Sequence, residues 1–348
     1  MSGLLAIILM MLVFVIIYQI AKASEYATIL RGEGKINARV NRTMAWLLVA
    51  FFFLGLYGIW MCHQALIDRM LPISASEHGV EYDKMFLVTL VVTGIVFFIT
   101  QTALFWFAYR YQSTEKRTAF FYPHNNKLEL VWTTIPAIAM AVLVTIGLRN
   151  WIHMTSAAPK EAMVVEVVGK QFNWIVRYPG KDAVMGKRDF RKINDANNVL
   201  GLDWSDKDNM DDIIAQNGEL HLVVNKPVSL LIGSRDVIHD VGLPHFRMKM
   251  DAVPGIVTTM WFTPTITTAK MKEITGNKDF VYEISCDQMC GKGHYSMRGT
   301  VIVETQEEYD AWMAKQQTYY ASANPAPAAD STAAAQPTTD SVKAITMK

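Results

Sequence analysis

The sequence of 348 residues contains few cysteines: Cys62, Cys286 and Cys290 are its only three. That number is too small for a disulfide framework. No C-x-x-C-H segment occurs either, which excludes a covalently attached c-type haem in this chain. Cys286 and Cys290 are nevertheless close together in an otherwise cysteine-poor chain, so a disulfide and a metal site are the two candidate explanations for the pair.

Net charge is also nearly absent, since 33 basic and 32 acidic residues leave a formal charge of +1. This balance says little about partners because charges of opposite sign are segregated along the chain. The apolar residues, 51% of the total, are concentrated in the N-terminal part. The sequence therefore combines a membrane portion with a soluble portion. We expect contact with membrane lipid and none with nucleic acid.

Four apolar runs are long enough to cross a bilayer, for which about 20 apolar residues suffice. They occupy residues 3–20, 44–61, 85–109 and 128–148. Basic residues dominate the loops after the first and third runs, whereas acidic residues dominate the loop after the second. Because basic loops stay in the cytoplasm, both chain ends are predicted to lie outside.

An alternative is that residues 1–23 form a cleaved signal peptide, because Ala21-Lys22-Ala23 resembles a cleavage site. However, no Lys or Arg precedes the apolar run, and cleavage would move the large C-terminal domain inside. We therefore predict a four-helix transmembrane anchor. It consists of an additional N-terminal hairpin over residues 1–65 and a second hairpin over residues 85–150.

From residue 161 onward, short apolar stretches rich in β-branched residues alternate with Gly and Pro. This pattern is typical of an antiparallel β-sandwich or barrel, which we predict over residues 161–318. The predicted strands are 163–168, 172–177, 220–224, 228–232, 257–262, 280–285 and 300–303.

A polar segment at residues 181–218 interrupts the strand pattern and is predicted to be a long surface insertion. It contains a group of five aspartates, namely Asp203, Asp206, Asp208, Asp211 and Asp212. Such a charge run is usually a solvated loop. The alternative is a docking surface for a cationic donor protein.

The C-terminal region begins with Thr305 and Glu308, which have the spacing of a capping box. We therefore predict a short helix over residues 309–317. Residues 319–348 are rich in Ala, Pro, Thr and Ser, a composition that predicts a disordered tail.

Four potential metal ligands lie in one predicted loop: Cys286, Cys290, His294 and Met297. Thiolate, imidazole and thioether form a soft set that favours copper over magnesium, calcium or manganese. A mononuclear blue-copper site needs only one Cys. A second thiolate allows two sulfurs to bridge two copper ions, between which one electron can be shared.

Two other interpretations of this loop stay open on spacing alone. Cys286 and Cys290 could form a disulfide in an oxidising compartment, and two Cys with a His could bind zinc. The thioether of Met297 favours copper, because zinc sites use nitrogen, thiolate and carboxylate ligands.

Three separated motifs resemble those of cytochrome c oxidase subunit II. The loop fits the family pattern Cys-x-Glu-x-Cys-Gly-x-x-His-x-x-Met, except that Gln288 replaces Glu. Upstream, residues 236–239 give Asp-Val-x-His, followed by Pro244 and by Lys-x-Asp-x-x-Pro-Gly at residues 249–255. The third motif is Leu-Glu-Leu-Val-Trp-Thr-Thr-Ile-Pro at residues 128–136.

The resemblance covers about residues 85–318 and implies a cupredoxin-like Greek-key β-barrel after the membrane anchor. It also implies a binuclear copper centre, CuA. Its implied ligands are the side chains of His239, Cys286, Cys290, His294 and Met297 and the backbone carbonyl of Gln288. The family pattern assigns no ligand role to His245, which we expect to be an ordinary surface histidine.

The resemblance implies roles for other residues as well. Glu129 corresponds to a glutamate that admits protons to a channel in the catalytic subunit. Phe172 occupies the position of a tryptophan through which electrons arrive, and Trp174 is the alternative relay. The family's glutamate at position 288 helps to hold magnesium at the border with subunit I, so Gln288 leaves magnesium binding in question.

The expected function is that of subunit II of a proton-pumping oxidase in the bacterial inner membrane, with its copper domain in the periplasm. Its expected partners are subunit I, other oxidase subunits, and cytochrome c or a membrane-bound cytochrome c domain. The alternatives are a membrane-tethered copper carrier or assembly factor and a copper-free subunit of a quinol oxidase. Cys286 and Cys290 argue against the second alternative.

Overall fold

The computed structural model describes residues 2–31, 33–67, 70–114, 117, 120–215 and 218–324. The chain forms two compact units. The first comprises Met1–Pro72 and Lys84–Arg149, and the second comprises Ile73–Asp83 and Asn150–Lys348.

Long helices contain all four of the predicted apolar runs. They are α1 (Ser2–Arg31), α2 (Glu33–Leu66), α3 (Glu77–Arg110) and α4 (Asn126–Thr155). Three segments in the described part of the chain are long and apolar enough to cross a membrane: Ala38–Leu66, Glu77–Arg110 and Asn126–Thr155. They confirm that the chain has a helical membrane anchor, as predicted.

The predicted first span, residues 3–20, lies in α1. The side chains of residues 2–10 are outside those that the structure describes. A membrane span over residues 3–20 therefore stays a prediction. The described residues support the other three spanning helices.

Among the described residues, ten strands follow α4 and form two five-stranded sheets. The strands are β1 (Met163–Lys170), β2 (Asn173–Tyr178), β3 (Ile213–Ile214), β4 (Leu220–Val223), β5 (Val228–Ser234), β6 (His239–Leu243), β7 (Met248–Ala252), β8 (Thr258–Phe262), β9 (Tyr282–Cys286) and β10 (Arg298–Glu304). One sheet has the order β3-β2-β1-β5-β8 and the other the order β4-β10-β9-β6-β7. This arrangement confirms the predicted cupredoxin-like class.

The core of the β-domain combines apolar side chains from both sheets. Val165 and Val167 of β1 belong to the same buried cluster as Leu222 of β4 and Val301 of β10. Alternate residues of a strand point to one face of its sheet, and β-branched residues pack well on that pleated surface. The seven predicted strands form for this reason.

Strand pairing differs from the predicted antiparallel pattern in two places. β1 pairs with β5 in parallel, and β10 pairs with β4 in parallel. Parallel partners require crossover connections, which the apolar pattern of a single strand does not specify. The sequence analysis also missed β3, β6, β7 and the helix α5 (Thr268–Thr275).

The polar insertion at residues 181–218 is folded, which corrects the expectation of a solvated acidic loop. Its Leu200 and Leu202 form a second buried cluster with Val168 of β1 and Ile175 of β2. β1 is consequently buried along most of its length, because the insertion packs on the face of the sheet that points away from the main core.

Arg177 of β2 holds the insertion against the sheet and is almost fully buried. Its Nε donates to Asp212 Oδ2 at 3.0 Å, and its Nη1 donates to Glu166 Oε2 at 3.1 Å. Its Nη2 donates to the carbonyl of Gly186 and to Asn209 Oδ1, each at 2.8 Å. The buried guanidinium therefore joins β1, β2 and three residues of the insertion.

Four of the five clustered aspartates are engaged within the fold. Asp212 contacts Arg177, and Asp211 accepts from the backbone N–H groups of residues 181 and 182. Asp203 binds Lys192 Nζ at 2.5 Å, and Asp206 accepts from the backbone N–H of residue 187. These contacts argue against the alternative of an acidic docking surface, because the carboxylates face the protein.

The C-terminal helix and tail differ in detail from the prediction. α6 (Gln306–Met313) begins with the predicted capping box of Thr305 and Glu308. The expectation of disorder from residue 319 is wrong at its start, where α7 (Tyr319–Ala323) forms. The hydroxyl of Tyr319 accepts from the backbone N–H of Val199, and its ring packs on Trp204. The rest of the predicted tail, residues 325–348, lies outside the described residues.

We predict that Arg177→Met lowers the free energy of unfolding by about 3–5 kcal/mol, because it leaves the buried Asp212 without its cation and Glu166 with Arg188 alone. Chemical denaturation of the purified chain, followed by tryptophan fluorescence, measures the change. Lys192→Met is the matched control and should cost less than about 1 kcal/mol, since its pair with Asp203 is partly exposed. Equal effects of the two substitutions would contradict the anchoring role of Arg177.

Candidate metal centre

Two neighbouring strands bring the predicted ligands together. His239 is the first residue of β6, and Cys286 is the last residue of β9. The strands are paired, with Val241 opposite Cys286. The remaining predicted ligands lie in the connection between β9 and β10, where residues 294–296 form one turn of 3-10 helix.

The ligand atoms form a continuous chain of short distances. Cys286 Sγ lies 3.7 Å from His239 Nδ1 and 3.7 Å from Cys290 Sγ. Cys290 Sγ in turn lies 3.7 Å from His294 Nδ1 and 3.8 Å from Met297 Sδ. His239, Cys286 and Cys290 form the one group of at least three His, Cys, Asp or Glu ligands that converges within 4.8 Å among the described residues.

The backbone of Gln288 also faces this group. Its carbonyl oxygen lies 3.2 Å from Cys286 Sγ, whereas the residue is exposed overall. An oxygen from the main chain is thus available beside the sulfurs. The exposed side chain points to no partner among the residues described.

Cys286 and Cys290 are buried and unpaired. Their sulfurs are 3.7 Å apart, well beyond the S–S bond length of about 2.05 Å. Burial, followed by the contact with Cys286, raises the pKa of the Cys290 thiol to about 11. Because metals bind thiolates, a bound cation must displace these thiol protons.

Polar neighbours hold the ligands in place. His239 Nε2 lies 2.8 Å from Asp236 Oδ1, which directs Nδ1 toward the sulfurs. The side chain of Gln171 donates to the carbonyl of Cys290 at 2.6 Å, and its backbone N–H donates to Asp236 at 2.7 Å. Burial acts to raise the pKa of Asp236, but these hydrogen bonds outweigh it and lower the pKa.

The two aromatic residues predicted to receive electrons occupy different depths. Phe172 is 38% exposed and packs on the ligand loop. A Cβ added at Gly293 would lie only 2.5 Å from its ring, so this position requires glycine for close approach. Trp174 is buried, and its ring centroid lies 6.0 Å from that of His239.

Glu129 belongs to the other compact unit, in the first turn of α4. The backbone N–H groups of Leu128 and Glu129 donate to Asn125, so the helix start is capped. A carboxylate in this turn is stabilised by the helix dipole. Glu129 is exposed.

His245 is not an ordinary surface histidine, which corrects that expectation. It is half-buried, and its ring packs edge-on against Phe280 and Tyr282 with centroids 5.2 Å away in each case. Burial, with a smaller effect of Arg247, lowers its pKa. It contributes nothing to the converging group of ligands.

Sequence reasoning missed Gln171 and Asp236 as supports of the site. Asp236 was visible as part of the Asp-Val-x-His motif, and its position three residues before His239 gave a signal for its role. Gln171 gave none, because its contact with Cys290 joins residues 119 positions apart.

The fold and the site together define a membrane-anchored cupredoxin with a buried metal centre rich in sulfur.

Comparisons with known proteins identify the family. Residues 163–305 match the family model for the periplasmic domain of cytochrome c oxidase subunit II, and residues 68–150 match the model for its transmembrane domain. The alternative cytochrome c oxidase subunit 2 of Bradyrhizobium diazoefficiens is 37% identical over 232 residues, covering 67% of this chain and 79% of the relative. Cytochrome c oxidase subunit 2 of Thermostichus vulcanus is 29% identical over 326 residues, covering 78% and 85%.

Among solved structures, the periplasmic domain of cytochrome oxidase subunit II from Bradyrhizobium japonicum is 25% identical. It covers 45% of this chain and 95% of that domain, with a TM-score of 0.31.

The chain belongs to the cytochrome c oxidase subunit II family. It is a membrane protein with a periplasmic domain and a subunit of an oxidoreductase, the haem–copper cytochrome c oxidase. Family membership and the cluster of His239, Cys286 and Cys290 imply that it binds copper. The family likewise implies subunit I as a partner.

Proposed function

We propose that the periplasmic cluster holds a binuclear copper centre of the CuA type. The proposed ligands are the side chains of His239, Cys286, Cys290, His294 and Met297 and the carbonyl of Gln288. The observation that carries this proposal is the convergence of two sulfurs, each with its own imidazole neighbour at 3.7 Å. Copper held by these thiolates would supply the acceptance and release of single electrons with little change in geometry.

The donor set supports copper over zinc or magnesium. Thioether and thiolate are soft ligands that suit copper, and Met297 Sδ adjoins Cys290 Sγ. Magnesium prefers oxygen ligands, carboxylates above all. Gln288 offers a neutral amide, and Asp287 pairs with Lys249 at 2.8 Å, so we assign no magnesium ligand in this loop.

Burial supports a resident centre over the alternative of a copper carrier. Cys286, Cys290 and Met297 are 7%, 4% and 1% exposed, and His239 is 0% exposed. A carrier that hands metal onward needs ligands that a partner can reach. Here the protein shields them, and the hydrogen bonds of Asp236 and Gln171 restrain the ligands.

We propose that electrons arrive from cytochrome c, or from a membrane-bound cytochrome c domain, at Phe172 and leave toward haem in subunit I. Phe172 is exposed and packs on the ligand loop, whereas Trp174 lies beneath His239. Trp174 is accordingly assigned to packing behind the ligand. We place the chain in the bacterial inner membrane, in contact with lipid and the other oxidase subunits.

We also propose that Glu129 admits protons to subunit I on the cytoplasmic side. The proposal is supported by its exposure in the first turn of α4 and by the rule that ionisable groups near membrane spans are costly and often functional. The carboxyl group can exchange protons with water before passing them inward.

Replacing either Cys286 or Cys290 by Ser should abolish the mixed-valence copper signal and the reduction of the chain by cytochrome c, because one bridging sulfur is lost. Electron paramagnetic resonance and stopped-flow reduction of the assembled oxidase measure both effects. Cys62→Ser is the matched control at an exposed cysteine. A persisting mixed-valence signal in the Cys286→Ser or Cys290→Ser oxidase would rule out the proposed centre.

Met297→Leu should shift the redox potential more than it lowers copper content, because a weak thioether ligand tunes a copper site more than it holds the metal. Potentiometric titration and metal analysis of the same sample separate the two quantities. Loss of all copper in this variant would contradict the assignment of Met297 as a tuning ligand.

Phe172→Ala should slow reduction of the oxidase by cytochrome c about tenfold, equivalent to about 1.4 kcal/mol on the barrier, at unchanged copper content. Phe190→Ala removes another exposed phenylalanine, on the insertion, and should leave the rate unaltered. Equal rates in the Phe172→Ala and unmodified oxidases would refute the proposed route.

Glu129→Gln should lower steady-state oxygen reduction, because the amide cannot carry a proton, while the first electron from cytochrome c still arrives at its normal rate. Comparing turnover with stopped-flow reduction in one preparation tests this. Normal turnover in the Glu129→Gln oxidase would eliminate the proposed proton role.

A further inference from the structure

A basic pocket lies in the membrane unit, far along the sequence from the ligand loop. It has a volume of about 540 Å³ and includes four arginines among its lining residues. These arginines come from the start of α2 and from the end of α3 and the segment after it. They are Arg39, Arg42, Arg110 and Arg117.

The pocket is held in shape by contacts between α2 and the end of α3. The side chain of Asn41 donates to the carbonyl of Ser113 at 3.3 Å. One turn deeper, the rings of Trp46 and Tyr109 pack edge-on, with centroids 4.9 Å apart. Arg117 Nη1 donates to the carbonyl of Arg110 at 2.8 Å, which holds the Arg117 side chain at the end of α3.

Positive charge in this pocket is not balanced within the described part of the chain. None of the four arginines forms an ion pair with a carboxylate of a described residue. The remaining polar lining residues, Tyr109, Gln112 and Thr114, are neutral. Glu115 is the acidic residue nearest in sequence to Arg117, and it lies outside the described residues. Four like charges around one cavity repel each other, and an anion in the cavity would relieve that repulsion.

We propose that this arginine pocket binds the phosphodiester headgroup of an anionic membrane lipid. Guanidinium groups match phosphate oxygens in a bidentate geometry, and basic pockets between spanning helices on the cytoplasmic side bind anionic headgroups. The basic loops around α2 and α3 place this pocket on that side by the positive-inside rule.

The surroundings favour a lipid over free phosphate. Exposed apolar side chains continue from the pocket toward the spanning segments, and they include Trp46, 55% exposed, and Trp106, 56% exposed. Acyl chains can lie along such a surface while the headgroup occupies the pocket. A soluble phosphate would use the arginines alone and leave this surface without a role in binding.

Only part of the pocket lies in the region that matches the family's transmembrane domain. Arg39 and Arg42 lie on α2, outside residues 68–150 that match the family's transmembrane domain. Arg110 and Arg117 lie inside that matching region. The helix α2 therefore completes a site of which the matching region contains only two arginines. This site does not depend on the proposed copper centre.

Lipid binding to the assembled oxidase tests this inference. The complex is delipidated in neutral detergent and titrated with cardiolipin, phosphatidylglycerol or phosphatidylcholine, and bound lipid is counted by native mass spectrometry. The double variant Arg39→Gln/Arg42→Gln should bind cardiolipin about 25-fold more weakly, at about fivefold for each arginine. Lys127→Gln removes a basic residue that does not line the pocket and should bind within about twofold of the unmodified complex.

Arg39→Lys/Arg42→Lys keeps the charge and should recover part of the affinity, which separates charge from misfolding. An unchanged copper signal in the double Gln variant verifies that the rest of the chain is intact. Equal loss in Lys127→Gln, or equal binding of phosphatidylcholine, would overturn the proposal. Displacement of cardiolipin by millimolar pyrophosphate would identify a soluble phosphate as the ligand. If the isolated chain binds lipid but the assembled oxidase does not, the pocket is occupied by a protein partner, which would also overturn the proposal.

Discussion

The contact between the ends of β6 and β9 is the constraint on which the site depends. Their pairing sets His239 beside Cys286, and the loop that leaves β9 then brings Cys290, His294 and Met297 to the same point. A sheet gives both strand ends fixed positions, so the fold brings the proposed ligands together. Asp236 accepts a hydrogen bond from His239, and Gln171 donates one to the carbonyl of Cys290, so both residues restrain the site.

The β-domain is stabilised at a second place, where the insertion packs on the outer face of one sheet. There, the positive charge of the buried Arg177 is paired with the carboxylates of Asp212 and Glu166. Removal of one partner from such a buried network is costly, because it leaves an unpaired charge inside the protein. The acidic residues of the insertion thus hold it in its folded arrangement. The proposed docking site for an electron donor is the exposed surface near Phe172.

The sequence predicted the parts that depend on local pattern. Apolar runs located the long helices, and β-branched stretches located seven strands. Spacing within one loop singled out Cys286, Cys290, His294 and Met297, whereas His239 was assigned through the resemblance to the family. The parts it missed depend on distant contacts. The parallel pairing of β1 with β5 is not encoded in either strand alone. The aspartates of the insertion were read as solvated because nothing local indicates that they turn inward to Arg177 and to backbone N–H groups.

The proposed centre has two thiolates that would hold two metal ions sharing one electron. Its most direct test is electron paramagnetic resonance of the purified, copper-loaded chain, combined with a count of copper atoms per polypeptide. We predict two copper atoms per chain and hyperfine structure from two equivalent copper nuclei. A single copper atom with hyperfine structure from one nucleus, or a site filled by zinc after expression with ample copper, would contradict the account.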